Sequence, residues 1–308
     1  MTLAPSPNTV CTLIVTYYPS AELFERLPQL CAIAQRTIVV DNGSPDRTIK
    51  KLHAMAATEG YQLVPNPTNL GVAAALNQGV RRAREQGATW ALLLDQDSLP
   101  KSTILHGITT AIARYKGNSD IAVVAANYQS GGDVRGGYAI DRRSSDPFGV
   151  QVAVITAGSL ISLAAFARIG PFADELFIDH VDHDYCLRAR RRGFAVIATR
   201  DILLNHSIGR GSRHTFLGGT VVTSNHPPVR RYYMARNAVV VARRHFWAEP
   251  RWVMAMLRQL LRDLAAMMLF EESRGAKLRC WLRGIWDGVR GKLGPISHGQ
   301  DLKEDRTG

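Results

Sequence analysis

Cysteine is scarce in this sequence: Cys11, Cys31, Cys186 and Cys280 are the four among 308 residues, with no CxxC or Cys/His spacing. That excludes a disulfide framework and a cysteine-built zinc site, and it fits buried thiols in a reducing compartment. Acidic residues are in short supply too, 26 against 38 Lys and Arg, for a formal net charge of +12. Uninterrupted apolar runs long enough to span a bilayer are missing. Residues 148–167 are uncharged, but they contain Gln151, Thr156, Gly158, Ser159 and Ser162, and their first half alternates like a strand. Residues 253–270 carry Arg258, Arg262 and Asp263 about halfway along, where charge in hydrocarbon is costly. The opening MTLAPSPNT has no basic residue before a short TLIV run, so no secretory leader is expected. With 46% hydrophobic and 21% charged residues, the chain is neither disordered nor a stapled miniprotein.

The positive charge is unevenly placed. Between residues 188 and 292 there are 21 Lys and Arg against 6 acids, whereas the first half is near balance. Such a region is either a solvated basic face or a match for an anionic partner: nucleic acid, a phosphorylated substrate or an anionic bilayer. A nucleic-acid binder would show a basic stripe with aromatic platforms, and none is present, so no nucleic-acid partner is expected.

Apolar runs alternate with helical spacing along the first third. Strands are predicted at 10–17, 37–44, 61–66 and 89–95, and helices at 20–35, 46–58 and 72–86. This alternation of β-rich runs and helices predicts a mostly parallel sheet with helices on both faces, with the ligand beyond the carboxyl ends of the strands. Three polar clusters stand there: Thr16-Tyr17, Asp41-Asn42-Gly43-Ser44 and Asp95-Gln96-Asp97. A helix at 101–116, strands at 120–126 and 150–158, short helices near 164–168 and 182–192, and a strand at 194–198 follow. Residues 130–146 read as a loop, 209–228 as a flap or linker, and 229–291 as helical. The expected division is a catalytic domain at 1–220 and a basic helical region at 221–308, with a disordered tail from about 295.

Several residues carry candidate chemistry. Alternate carboxylates in Asp95-Gln96-Asp97 can share a hard divalent cation with a pyrophosphate, or the run can simply cap the next helix. Asp41 can accept the imino N–H of a pyrimidine while Tyr17 packs on the base, or it can start an Asx turn. Asp182 falls at a helix start, where it caps amides and is also well placed as a general base. Asp184 and Arg188, four apart, can pair structurally. His180, His183 and the nearby acids could suggest zinc, but the chain there is only beginning its helix and no Cys completes the set. His206 can complete a divalent site, donate to a phosphate, or be a satisfied histidine.

The ordered motifs IVTYYP (14–19), VVDNGSPD (39–46), NLGVAAALNQG (69–79), LLLDQDS (92–98), FIDHVDHDYCLR and LNHSIG (204–209) resemble family 2 inverting glycosyltransferases of the GT-A fold. More narrowly, they are similar to the bacterial rhamnosyltransferase branch, from about residue 10 to 240. The resemblance implies an α/β, Rossmann-like domain with a C-terminal helical extension, transferring L-rhamnose from dTDP-β-L-rhamnose to a saccharide or lipid-linked acceptor. It implies donor contacts from Thr16, Tyr17, Asp41 (the pyrimidine), Asn42, Gly43, Asn69, Gly71 and Asp95 (the ribose). It further implies Mg2+ or Mn2+ on Asp97 with His206 close by, Asp182 as base, and Gly158, Ser159 and Asp179 on the acceptor side. Val181 replaces a frequent Glu. Asn42 and Gln96 stand where many members have Asp, which points to the rhamnosyl branch and leaves a UDP-hexose donor as the alternative. A nucleotidyltransferase would need a Gly-rich loop after the first strand, where TYYPSAE stands instead.

In the C-terminal third, Trp252, Met256, Leu260, Leu264 and Met267 repeat at helical spacing, as do Leu278, Trp281, Leu282, Ile285 and Val289 among basic residues. These faces either pack within the protein or lie on an anionic membrane. The implied location is cytoplasmic, with peripheral contact at the inner membrane.

Overall fold

A computed structural model describes residues 4–129, 137–140, 144–205, 212–216 and 219–296. The chain forms two compact units, one of Met1–Ala173 with Asp182–Ser207, the other of Asp174–Val181 with Ile208–Gly308.

The first unit begins with the expected alternation: β1 (Val10–Thr16), α1 (Ala21–Cys31), β2 (Arg36–Asp41), α2 (Asp46–Glu59), β3 (Gln62–Pro65), α3 (Val72–Glu85) and β4 (Trp90–Asp95). It continues through β5 (Leu99–Pro100), α4 (Ile104–Arg114), β6 (Ile121–Gln129), β7 (Phe148–Val150), β8 (Ser159–Ser162), α5 (Leu163–Ile169), α6 (Val181–Arg191) and β9 (Ala195–Asn205). The sheet runs in the order β3-β2-β1-β4-β8-β6-β9-β5, with β7 pairing off this path onto β9. β3, β2, β1 and β4 are parallel, β8 runs antiparallel to both its neighbours, and β6 and β9 are parallel. Every residue of β1 is buried, as a strand covered on both faces must be. Leu23, Leu27 and Leu30, at i, i+4 and i+7, turn one face of α1 into the same core as Val10, Ile14 and Val39. Burying a side chain of this size contributes about 1.5–3 kcal/mol.

One expected strand is displaced. Residues 150–158 are not a single strand; pairing occurs instead in β7 and β8 on either side. Gln151 N–H still reaches the Val196 carbonyl of β9, but Ile155 N–H bonds to the Tyr138 hydroxyl and Thr156 N–H to Asp182. Backbone donors satisfied by side chains need no ladder.

In the second unit, β10 (Ser212–Phe216) and β11 (Gly219–Thr223) form an antiparallel hairpin within the stretch read as a flap. Three helices follow: α7 (Pro228–His245), α8 (Pro250–Phe270) and α9 (Arg274–Arg290). α9 packs on α7 through glycine. A Cβ on Gly284 would lie 2.3 Å from the Tyr232 carbonyl oxygen, and one on Gly288 2.7 Å from that of Arg236. Leu260 and Met267 of the expected α8 stripe are buried and its other members half-buried, so that face packs within the protein. Glu271, almost fully buried, accepts from Arg231 Nη2 at 2.5 Å and Lys277 Nζ at 2.8 Å. Cys11, Cys186 and Cys280 are buried free thiols and Cys31 is half-buried. The tail expected from about 295 lies, from residue 297 on, outside the described residues, as does most of the loop 130–146.

Candidate active site

Parallel register brings the polar clusters to one edge of the sheet. Asp41 pairs with Thr16, and Asp95 pairs with Val15, so three strand ends lie side by side in β2, β1 and β4. At about 4.8 Å between strands, Asp41 and Asp95 are separated by roughly 10 Å.

Side chains tie the loops beyond these ends together. The Asp41 carboxylate accepts from Thr16 Oγ1 at 2.8 Å, Ser44 Oγ at 2.7 Å, Ser44 N–H at 2.8 Å and Gly43 N–H at 3.2 Å. The Gly43 and Ser44 bonds build the Asx turn that is one of the two readings of Asp41, and with the Thr16 bond from β1 they occupy the acceptor positions of a carboxylate. Asn42 uses both halves of its amide. Its Oδ1 accepts from Leu70 N–H and Asn66 Nδ2, and its Nδ2 donates to Asn69 Oδ1 at 3.0 Å. Asn69 Oδ1 also accepts from Gly71 N–H at 2.9 Å. Gly43 sits at φ +96°, and a Cβ there would come within 2.7 Å of the Thr68–Asn69 peptide. Only glycine allows that approach.

The β4 loop joins the same network. Gln96 Oε1 accepts from Tyr17 N–H at 2.8 Å, and its carbonyl accepts from Arg26 Nη2 at 3.0 Å. Ser98, fully buried, closes the acidic turn by accepting from Asp95 N–H and donating its own N–H to the Asp95 carbonyl, both at 3.0 Å. β5 separates this turn from α4, so the acidic tripeptide is not that helix's cap. Asp95 is half-buried, Asp97 is exposed, and Tyr17 and Tyr18 present adjacent exposed rings.

No cluster of three metal-ligating side chains exists among the described residues. A Mg2+ or Mn2+ site made of one or two carboxylates plus diphosphate oxygens does not require one. The exposed Asp97 carboxylate, two residues beyond Asp95 at a strand end, fits such a shared site and not a protein-only cage. His206 lies outside the described residues.

Asp182 opens α6. Its Oδ1 accepts from His183 N–H at 2.8 Å and its Oδ2 from Thr156 N–H at 3.1 Å, leaving each oxygen a further lone pair. Tyr128 and Tyr138 meet edge to face at 5.5 Å, and the Tyr138 hydroxyl accepts from Ile155 N–H, next to the amide that holds Asp182. Burial, and behind it the Asp182 charge, push the Tyr128 hydroxyl above its usual value. Burial pushes Tyr138 well up too, against the Ile155 bond and with lesser pushes from Tyr128 and Asp182. Both phenols therefore stay protonated in the field of the carboxylate. Asp184, fully buried, is bonded to Arg188 Nε at 2.8 Å and is structural.

The acceptor-side candidates are mostly engaged. Ser159 is buried and donates to the Ile155 carbonyl at 2.6 Å. Gly158, at φ +75°, bonds through its backbone to Leu93 and Ala126. Asp179, in the second unit, pairs with Arg230 Nη2 at 3.1 Å. Sequence reasoning missed Asn66, Ser98, Tyr128 and Tyr138, because a buried amide or hydroxyl shows no signal until its partners are known. Asn66 does stand next to the Pro65 that ends β3, which marks it as a strand-end residue.

Residues 12–158 match the model of Glycosyl transferase family 2. The chain carries a family 2 glycosyltransferase domain. A relative of this glycosyltransferase, the dTDP-rhamnosyl transferase RfbF of Shigella flexneri, is 27% identical over 303 residues, covering 93% of this chain and 97% of its own. The mannosyltransferase PcManGT of Pyrobaculum calidifontis, solved with GDP-Man and Mn2+, is similar at a TM-score of 0.56 and 15% identity, over 94% of this chain and 90% of that one. TarS of S. aureus is similar at 0.55 and 15% identity over 92% of this chain, which spans 49% of the TarS chain. These structural likenesses show the fold, the α/β GT-A fold of glycosyltransferases.

Proposed function

We propose that this glycosyltransferase moves L-rhamnose from dTDP-β-L-rhamnose to a hydroxyl of a saccharide or lipid-linked acceptor in cell-surface polysaccharide synthesis, with inversion. The observation that carries the reading is the hydrogen-bonded rim joining the ends of β1, β2 and β4, with Asn42 and Gln96 at its joints. The near full-length similarity to a dTDP-rhamnosyl transferase supports the choice of donor. Catalysis is assigned to residues 1–220, and the basic helical region 221–308 suits an acceptor carried at a membrane. The proposed place of action is the cytoplasmic face of the inner membrane, in peripheral contact. No helix among the described residues is long and apolar enough to cross it.

In this reading Tyr17 packs on the base, and Thr16, Asn42, Gly43, Asn69 and Gly71 shape the nucleoside pocket. Asp41 holds the turn that borders the pyrimidine, and Asp95 meets the ribose. Asp97 with His206 would hold Mg2+ or Mn2+, which when bound neutralises charge on the departing diphosphate. Asp182 accepts the acceptor hydroxyl's proton as the new C–O bond forms on the face opposite the breaking one, giving an α-L-rhamnoside. Its two remaining lone pairs suit it for this, and the protonated Tyr128 and Tyr138 orient hydroxyls beside it. Gly158 and Ser159 border the acceptor.

Transfer measured with dTDP-rhamnose and with UDP-hexoses, plus and minus Mn2+, tests the donor and the metal together. Activity restricted to UDP-hexoses, or unaffected by chelation, refutes the corresponding part. Asp182→Asn should keep donor affinity while kcat falls by about 10²–10⁴, the usual scale for a lost general base. Normal turnover in that variant would remove Asp182 from its role.

A further inference from the structure

The two faces of α9 differ sharply. Gly284 and Gly288 press against the α7 backbone. At about 100° per residue, Leu282, Trp286 and Val289 centre on the opposite side of the helix. They are 54%, 56% and 56% exposed, three large apolar side chains in one stripe. Arg279 extends this stripe and Arg290 flanks it, its guanidinium carbon 4.3 Å from the Trp286 ring centre. The sole acid of α9, Asp287, is turned inward to accept from the Tyr232 hydroxyl at 2.8 Å. α8 repeats the composition. Its exposed Met254, Leu261 and Leu269 are interspersed with exposed Arg251, Arg258 and Arg262. Between α7 and α8, Trp247 is 91% exposed.

From this geometry we infer that the outward face of α9, centred on Leu282, Trp286 and Val289 and edged by Arg279 and Arg290, is a docking surface for an anionic lipid bilayer. Apolar side chains with a Trp enter the boundary between headgroups and acyl chains, while arginines extend their charge to lipid phosphates. Charge complementarity selects this occupant. Among the described residues this face carries cations and apolar groups and no exposed carboxylate, which suits an anionic lipid surface. The inference makes specific the membrane contact proposed above, yet it needs neither donor nor transfer.

The test is co-sedimentation of the full chain with vesicles of phosphatidylcholine, with and without phosphatidylglycerol, in the absence of nucleotide sugar. Binding is expected only with phosphatidylglycerol and should weaken as salt rises. Leu282→Ser/Trp286→Ser should lower partitioning by about tenfold or more, the scale set by burying one large apolar side chain. Arg279→Glu/Arg290→Glu, which leaves the apolar stripe intact, should lower it on the anionic vesicles. Both pairs are exposed, and circular dichroism checks that each variant folds. Undiminished binding by both double variants overturns the inference, as does equal binding to neutral vesicles. Absence of vesicle binding, with a dimer in analytical ultracentrifugation that Leu282→Ser/Trp286→Ser dissociates, would also overturn it by assigning the face to a second copy. Because transfer to a water-soluble acceptor is measured separately, loss of the membrane role and loss of the enzymatic reading give different results.

Discussion

Three aspartates with the same chemistry receive three different environments. Asp41 is saturated by its own turn and by Thr16, Asp184 is paired with Arg188, and Asp182 keeps acceptor capacity on both oxygens. Burial and local donors make that distinction, and neither is visible in a string of letters. Asn42 is the converse case, because its environment explains its identity. It needs an acceptor for Leu70 and Asn66 and a donor for Asn69, which only an amide supplies. Asn42→Asp would set a carboxylate oxygen against Asn69 Oδ1 in a buried site, a loss of about 1–3 kcal/mol. The expected outcome is a raised donor KM with kcat much less affected, read from steady-state kinetics. A variant with unchanged KM would show that the rim does not shape the donor site.

At the level of elements, the first four strands and the three helices between them follow from periodicity alone, since continuous apolar runs and i, i+4, i+7 leucines have few other uses. The stretch 150–158 has the same apolar alternation but forms no continuous strand. The Tyr138 hydroxyl and Asp182 take the amides of Ile155 and Thr156, and those partners are 17 or more residues away in sequence. The C-terminal helices were legible as helices but not in their facing. The apolar spacing of α9 is satisfied by two sides, and close approach at Gly284 and Gly288 decides which one turns inward. Gly284→Ala should therefore drive α9 away from the Tyr232 carbonyl and cost about 1–3 kcal/mol, as overpacking does. A lowered thermal midpoint with unchanged helical signal is the expected result, and an unaltered midpoint would mean that the two helices part without penalty.

For the molecule as a whole, acid should act first on the second unit. Burial, then the Arg230 charge, pull the His226 imidazole down from 6.5 to about 4, with Arg231 adding and Asp179 and Glu271 opposing. Between those values the unfolded chain binds a proton that the folded chain refuses, so stability falls as pH drops, by about 3 kcal/mol at pH 4. Glu271 adds to this at lower pH. Burial pushes its carboxyl up, but the bonds from Lys277 and Arg231 outweigh it and hold the group below 4.5. Its contribution is present above 4.5 and is lost as pH falls through that lowered value. Thermal unfolding followed from pH 7 to 4 should show the decline, and His226→Gln should flatten it.

By itself the sequence determined the α/β alternation, the strand ends where polar residues collect, and the resemblance that implies glycosyl transfer, because these depend on local periodicity and short ordered motifs. Tertiary structure alone decided which carboxylate keeps lone pairs, which asparagines lock the loops together, and which side of α9 meets solvent. Those outcomes depend on hydrogen bonds and close contacts between residues mostly tens of positions apart, and local pattern carries no record of such pairings.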